Sequence, residues 1–367
     1  MDSLFIAEGH VERLIDLQKT PTPNVIIITW ESFTSKVIGM QKEGKRITPG
    51  FDSLIKEGIY FSNIYASGDR TDKGIVAVLS GYPSQPTTSI VKIPTKAAKL
   101  PMLSKQFTKN GYHSSFHYGG ELEFANMKAY LLQGAFQQFV SVSNFDKKDQ
   151  NSKWGAHDGV VMKRLIEDLS KTKQPFFSAW LTLSSHEPYE IPTDPLLKGK
   201  EDVSLFLNSL HYTDSIVFNF IQQCKQQTWW SNTIVAIVAD HGHRLLSTGK
   251  KSDDFKIPLL FLGGALTKTG REYNRVGSQI DLAATLLGQL GQDAKSYVWS
   301  KNLLDSSVKQ WGYFSFNNGF GYIETGKKLV FDNVGKLIIE KQGPVTEKDI
   351  EKGKVLQQLT FQDYLNR

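Results

Sequence analysis

Hydrophobic and polar positions change rhythm several times along this chain of 367 residues. From Ser3 to Leu17, the residues Leu4, Ile6, Val11, Leu14 and Ile15 fall close to one helical stripe, and Thr20-Pro21-Thr22-Pro23 ends any helix there. Val25-Ile26-Ile27-Ile28-Thr29-Trp30 then reads as a short strand buried on both faces. A helix over 51–57, an extended piece over 60–65 and a helix over 71–79, opening after Ser67-Gly68-Asp69-Arg70, follow in turn. The alternation continues with helices predicted over 102–109, 160–170 and 205–223, and strands over 113–118, 176–183 and 233–239. Runs of βα units predict an α/β fold with a mainly parallel central sheet flanked by helices, with ligands beyond the carboxyl ends of the strands. After a helix over 280–290, short alternating stretches at 312–316, 321–325, 328–332 and 336–340 are divided by Gly and Asn, which predicts a small antiparallel meander. The organisation expected is an amphipathic connector over 1–22, a main domain over 23–305, and a small C-terminal β-rich subdomain over 306–367 packed on the core.

Composition narrows the functional classes. The longest apolar runs, 25–28 and 234–239, fall far short of the roughly 20 residues needed to cross a bilayer. No fixed-period repeat or low-complexity tract is present, which sets aside solenoids and coiled coils. One cysteine, Cys224, leaves no disulfide framework and no Cys-based zinc site, and reads as an incidental thiol. The net charge of +6 comes from 43 basic and 37 acidic residues, without basic runs interleaved with aromatics, so no nucleic-acid partner is expected. Lys92, Lys96 and Lys99 read as a solvated face, and the mild excess suits an anionic substrate or membrane surface. Met1 to Thr20 lacks the basic and apolar regions of a signal peptide, which fits either a cytosolic protein or an excised domain.

Three polar sites fall where a parallel sheet would deliver them to one edge. Glu31 follows the first strand, Asp240-His241 follows the strand over 233–239, and Thr71 opens a helix after a Gly-containing turn. Carboxylates, an imidazole and a hydroxyl make a mixed oxygen and nitrogen set suited to Mn²⁺, Zn²⁺ or Mg²⁺. A hydroxyl on such a metal loses its proton more readily, which would make Thr71 a nucleophile. Each element alone is ordinary, and a threonine at a helix start is usually an N-cap. Their joint placement on distinct elements of one sheet is what points to chemistry.

The segment Thr48-Pro49-Gly50-Phe51-Asp52-Ser53-Leu54-Ile55-Lys56-Glu57-Gly58-Ile59-Tyr60-Phe61-Ser62-Asn63-Ile64-Tyr65 resembles the sulfatase-type stretch leading to the nucleophile helix. Together with the Pro23 to Ile28 strand, Glu31-Ser32, the Gly68 to Gly74 turn and Ser185-His186-Glu187-Pro188-Tyr189, it makes the chain similar to the alkaline phosphatase and sulfatase superfamily. Within it, the likeness, running from about Pro23 to Leu290, is to the extracellular catalytic domains of lipoteichoic acid synthase-like phosphoglycerol transferases. The resemblance implies that 23–305 is catalytic, that Thr71 takes up a phosphoglycerol group, that Glu31, Thr71, Asp240 and His241 bind one divalent metal, and that His186 sits by the substrate. It further implies a lipid or glycan phosphodiester substrate, and upstream spans anchoring the chain at the extracytoplasmic face of a bacterial cytoplasmic membrane. Arylsulfatases need a Cys/Ser-x-Pro-x-Arg signature, which is absent here.

The resemblance departs from its family at one informative place. Relatives that polymerise glycerol phosphate carry a Phe-Trp-Asn-Arg-like run, whereas here Phe124-Ala125-Asn126-Met127 stands. An arginine there would grip phosphate bidentately, so the head group or donor is open to difference, with His117 and Asn126 as candidate pocket residues. Transfer to a hydroxyl acceptor and hydrolysis as a phosphodiesterase or sulfatase-type hydrolase use the same site, and a non-enzymatic binding domain would be expected to have lost one of its residues. His243, with His186 and Asp214, offers donors for a second metal, but no clear second set stands out. His113, His157 and His211 read as structural, and Asp158, after Trp154-Gly155, reads equally as a helix cap or part of a substrate-side loop.

Overall fold

The computed structural model describes residues 11–367. At its centre a nine-stranded sheet runs in the order Arg271–Tyr273, Ile59–Tyr65, Lys256–Leu262, Thr233–Ala239, Asn24–Trp30, Phe176–Leu181, His113–Tyr118, Gln138–Val140, with Gly277–Ser278 also joined to Ile59–Tyr65. Asn24–Trp30 lies parallel between Thr233–Ala239 and Phe176–Leu181. All residues of these three strands are buried, as the unbroken apolar runs require of strands covered on both faces. Helices Pro49–Glu57, Thr71–Ser80, Asp158–Lys171, Asp202–Cys224 and Asp281–Gln289 match the predicted alternation within a few residues. The mainly parallel α/β fold is therefore as the sequence predicts.

Three elements differ from expectation. Lys256–Leu262 is an additional strand, antiparallel to both Ile59–Tyr65 and Thr233–Ala239. Pro258 near its start weakens the strand signal. The helix expected over 3–17 lies partly outside the described residues, and the part inside them is not helical. Val11 bridges Asp305, Ile15 bridges Leu266, and Leu14 N donates to Gln289 Oε1 at 2.7 Å. Leu14 and Ile15 are buried neighbours, so partners from the core satisfy this backbone in place of a helical ladder.

The third difference is C-terminal. The expected meander is a separate antiparallel sheet of Trp311–Phe316, Gly319–Glu324, Lys327–Asp332 and Leu337–Gln342. It is followed by a helix, Glu347–Asn366, that the alternating pattern did not reveal. This sheet braces the main domain near the predicted nucleophile: Ser315 N donates to Ser67 O at 3.0 Å, and Tyr313 N to Ser278 Oγ at 2.9 Å.

The last helix opens on a capping box in which Asp349 accepts from Thr346 N at 2.8 Å and Thr346 Oγ1 at 2.9 Å. Burial opposes its charge, but these donors and Lys327 hold the Asp349 carboxyl down at about 2. A group depressed in the fold stabilises it above the unfolded pKa, near 4, and that contribution is lost as pH falls towards 2. Asp349→Asn is therefore expected to cost about 1–2 kcal/mol at pH 7, with the gap to wild type closing between about pH 4 and pH 2 in denaturant titrations. A gap that stays constant over that range would refute the capping role.

Candidate active site and metal centre

Strand register places the two acidic residues side by side. Trp30 pairs with Ala239 in the parallel ladder, so the next residues, Glu31 and Asp240, leave the sheet together at its carboxyl edge. Ile59–Tyr65 ends at the same edge, and the chain returns through Ser67 to Arg70 into the helix headed by Thr71. Gly74 lets this helix approach closely, since a Cβ there would overlap the Asp240 carbonyl. Arg70, not Thr71, occupies the N-cap position, and no side chain caps this helix. The Thr71 hydroxyl instead points across the edge, donating to Glu31 Oε2 at 3.0 Å.

Four groups converge at this edge. One carboxylate oxygen from each of Glu31 and Asp240 and one ring nitrogen of His241 lie within 4.8 Å of one another. His241 Nε2 stands 3.5 Å from Glu31 Oε1 and 3.4 Å from Asp240 Oδ2. Its Nδ1–H donates to Gly242 O at 2.7 Å, which turns Nε2 towards the carboxylates, where it would ligate a cation on losing its proton. Asp240 Oδ1 accepts from Ser32 N and His241 N, whereas Asp240 Oδ2 is buried with no hydrogen-bond partner.

Electrostatics tell the same story. Burial opposes charge on Glu31, but His241, beside it, holds this carboxyl well below the usual range. Burial and the Glu31 charge push Asp240 well above it. Burial works against the His241 charge, yet Asp240 and Glu31 raise its pKa to about 10. Two buried carboxylates and an imidazole thus face each other around an orphaned oxygen, and positive charge is what the cluster lacks. A divalent ion fits these residues, with an oxygen and nitrogen donor set of the kind that Mn²⁺, Zn²⁺ or Mg²⁺ accepts.

The other predicted residues divide. His186 follows Ser185, whose Oγ donates to Glu31 O at 2.6 Å. The His186 ring packs edge-on against Trp154, centroids 4.8 Å apart, and Trp154 lies 6.2 Å from the half-exposed Phe124. Asn126 is exposed next to Phe124, in a left-handed conformation with φ 62°. His117 is not brought to the cluster: it is fully buried, with Nε2 2.9 Å from Asp168 Oδ2. Strand alternation explains this, because Tyr118, the next residue, is the one that senses Glu31 and Asp240.

The donors considered for a second metal are engaged elsewhere. His243 Nδ1 accepts from Leu245 N at 3.1 Å, and Nε2 meets Tyr189 OH at 3.2 Å. Asp214 accepts from Gly50 N and Phe51 N, both at 2.7 Å, at the start of Pro49–Glu57. Asp158 takes bonds from Leu183 N, Ser184 N and Thr213 Oγ1, so it organises the turn ahead of His186. His157 and His211 bond Ser184 Oγ and Ile47 O.

Gln279 was missed altogether. Fully buried, it donates through Nε2 to Ala239 O and Asp240 O, each at 2.6 Å, and accepts from Ser67 N at 3.1 Å. It thereby ties the Asp240 backbone to the turn that carries Thr71. A glutamine ahead of a helix carries no sequence signal for such a role, since all three partners are distant in the chain.

Known proteins place this geometry in a family. The sulfatase family profile matches residues 23–292, which span Glu31, Thr71, His186, Asp240 and His241. Lipoteichoic acid synthase 2 of Bacillus subtilis is 26% identical over 385 residues, covering 96% of this chain and 58% of that protein. Lipoteichoic acid synthase-like YvgJ of the same organism is 24% identical over 362 residues, covering 90% of this chain and 58% of its own length. The chain thus spans little more than half the length of these curated relatives. Among solved structures, a protein in the alkaline phosphatase superfamily from Vibrio parahaemolyticus has a TM-score of 0.82 at 28% identity, covering 94% of this chain and 88% of that one. The lipoteichoic acid synthase LtaP from Listeria monocytogenes shares the fold, with a TM-score of 0.81 at 18% identity, over 98% of this chain and 96% of that one. With the helix headed by Thr71, the carboxylate pair and the imidazole all inside the matched span, this chain is an enzyme that belongs to the sulfatase family, in the alkaline phosphatase superfamily.

Proposed function

We propose that this chain transfers a phospho-alcohol group, phosphoglycerol or a similar head group, from a lipid or glycan phosphodiester through a phospho-threonine on Thr71. The observation that carries the reading is the Thr71 hydroxyl, held 3.0 Å from Glu31 at the head of its helix and beside Asp240 and His241. A single divalent cation, Mn²⁺, Zn²⁺ or Mg²⁺, held by Glu31, Thr71, Asp240 and His241, would supply the positive charge that favours the Thr71 alkoxide. Glu31, kept ionised, accepts the hydrogen of Thr71 Oγ1 and fixes where that oxygen points.

Attack by Thr71 Oγ forms a bond to phosphorus while the bond to the leaving alkoxide breaks, and that alkoxide takes up a proton as the free alcohol. An acceptor hydroxyl then attacks the phospho-threonine, gives up its proton, and releases Thr71. His186, with Nδ1–H bound to Glu187 O at 2.8 Å, keeps Nε2 free for the substrate. Phe124, Asn126 and Trp154 form the adjoining wall in this reading, where Ala125 and Met127 stand in place of the family's Trp and Arg. The relatives named as lipoteichoic acid synthases support an anionic glycerophosphate-type substrate and a place at the extracytoplasmic face of a bacterial membrane. No helix among the described residues is long and apolar enough to cross a membrane.

Mass spectrometry of the metal-loaded protein after incubation with phosphatidylglycerol or phosphatidylethanolamine tests this reading. A phosphoglycerol or phosphoethanolamine adduct on Thr71 is expected and would name the group. Lipid turnover with no adduct on Thr71 under rapid quench would overturn the covalent step.

A further inference from the structure

The C-terminal helix Glu347–Asn366 presents two different faces. Ile350, Gly353, Leu356, Thr360 and Tyr364 are buried, and the helix packs on Gly319–Glu324 and Lys327–Asp332. A neighbouring face, carrying Lys354, Gln357, Gln358, Phe361 and Leu365 at helical spacing, instead lines a cavity of about 510 Å³. That volume falls in the range of small-molecule sites, roughly 300–1,000 Å³. Across it stand Asn317 and Asn333, from the turns that follow Trp311–Phe316 and Lys327–Asp332, and Pro86 and Thr87. The last two belong to a loop tied back to the first turn of the Thr71 helix: Lys73 Nζ donates to Pro86 O at 2.9 Å, and Ser89 Oγ to Asp72 O at 3.0 Å. Glu31, Asp240 and His241 take no part in the lining.

The lining is rich in amides and poor in charge. Asn317, Asn333, Gln357, Gln358 and Gln362 contribute, and no acidic residue does. Lys354, the one cation of the wall, stands 4.7 Å over the Phe331 ring. Asn333 Nδ2 donates to Gln357 Oε1 at 3.0 Å, which leaves Gln357 Nε2 buried with no hydrogen-bond partner. An amide N–H withdrawn from water and unpaired is costly, and a ligand oxygen offsets that cost. Phe361, beside it on the helix, is 36% exposed.

Each ligand class meets this wall differently. A metal ion finds no carboxylate, and an anion finds only an ammonium that already sits on a ring. A wholly apolar ligand would strip water from the amides and give nothing back. Sugar hydroxyls donate and accept as side-chain amides do, and the C–H face of a pyranose covers an aromatic ring. We propose that this cavity binds a neutral saccharide, with one sugar ring on Phe361 and its hydroxyls on Gln357 and the amides around it. The site rests on its own lining and not on the covalent step at Thr71, so the two stand or fall separately.

Saturation-transfer NMR of the full chain with maltotriose, cellotriose and chitotriose tests this. At least one of them is expected to receive saturation, and because the three differ in linkage and N-acetylation the pattern would name the sugar class. Raising salt from about 0.1 M to about 1 M, which shortens screening to roughly 3 Å, should leave the transfer in place. Phe361→Ala and Gln357→Leu should each weaken binding at least about tenfold, while Phe361→Trp retains it. Melting curves that match the wild type would show that the variants are folded. No transfer to any of the three sugars would overturn the proposal. So would transfer that survives in either Phe361→Ala or Gln357→Leu, which would place the sugar elsewhere, or transfer lost at high salt, which would mark attraction to Lys354 alone.

Discussion

Thr71→Ala is expected to reduce turnover of a chromogenic phosphodiester to background while the protein stays folded and loaded with metal. The substitution removes the hydroxyl that donates to Glu31 Oε2 and leaves Glu31, Asp240 and His241 in place. Its structural cost is small, because Thr71 does not cap its helix; what is lost is a single hydrogen bond to Glu31. Thermal or denaturant unfolding should therefore change by no more than about 2 kcal/mol. Thr71→Ser, which restores a hydroxyl, should recover part of the activity. Turnover undiminished in Thr71→Ala would mean that water, and not this side chain, attacks phosphorus.

Asp240→Asn is expected to weaken metal binding by orders of magnitude, since a buried anionic donor is lost. The effect on the metal-free protein has the opposite sign. In the wild type Asp240 Oδ2 is buried without a hydrogen-bond partner, 3.4 Å from His241 Nε2, and faces the Glu31 charge. An asparagine keeps an oxygen for Ser32 N and His241 N, and its amide can donate towards Glu31, relieving the repulsion. Metal-free Asp240→Asn should then be at least as stable as the metal-free wild type. A chelator should lower the wild-type melting temperature markedly, since metal at about 1,000 times its Kd contributes about 4 kcal/mol, and should leave the variant almost unmoved. Equal chelator shifts in the two proteins would place the metal elsewhere.

Much of this architecture is written in the chain, for a physical reason. Val25 to Trp30 and Thr233 to Ala239 are unbroken apolar runs, which only strands covered on both faces tolerate, and a carboxylate directly after such a run must emerge at the sheet's edge. That much places Glu31 and Asp240-His241 from sequence. Periodicity reports which faces are buried, however, and not what buries them. Lys256–Leu262 runs antiparallel because of its neighbours on both sides, and Val11 to Leu17 takes its backbone partners from Leu304, Gln289 and Thr267, not from itself. Alternation along His113–Tyr118 turns His117 to Asp168 and Tyr118 towards the cluster, a choice of side that depends on the register with Phe176–Leu181. The contact of Thr71 with Glu31 and the hold of Gln279 on the turn ahead of Thr71 join residues 40 and 212 positions apart, and the same packing leaves the Asp240 oxygen orphaned. Local pattern decides the elements; only tertiary packing, through pairings between distant segments, decides which polar groups meet and which are left needing a partner.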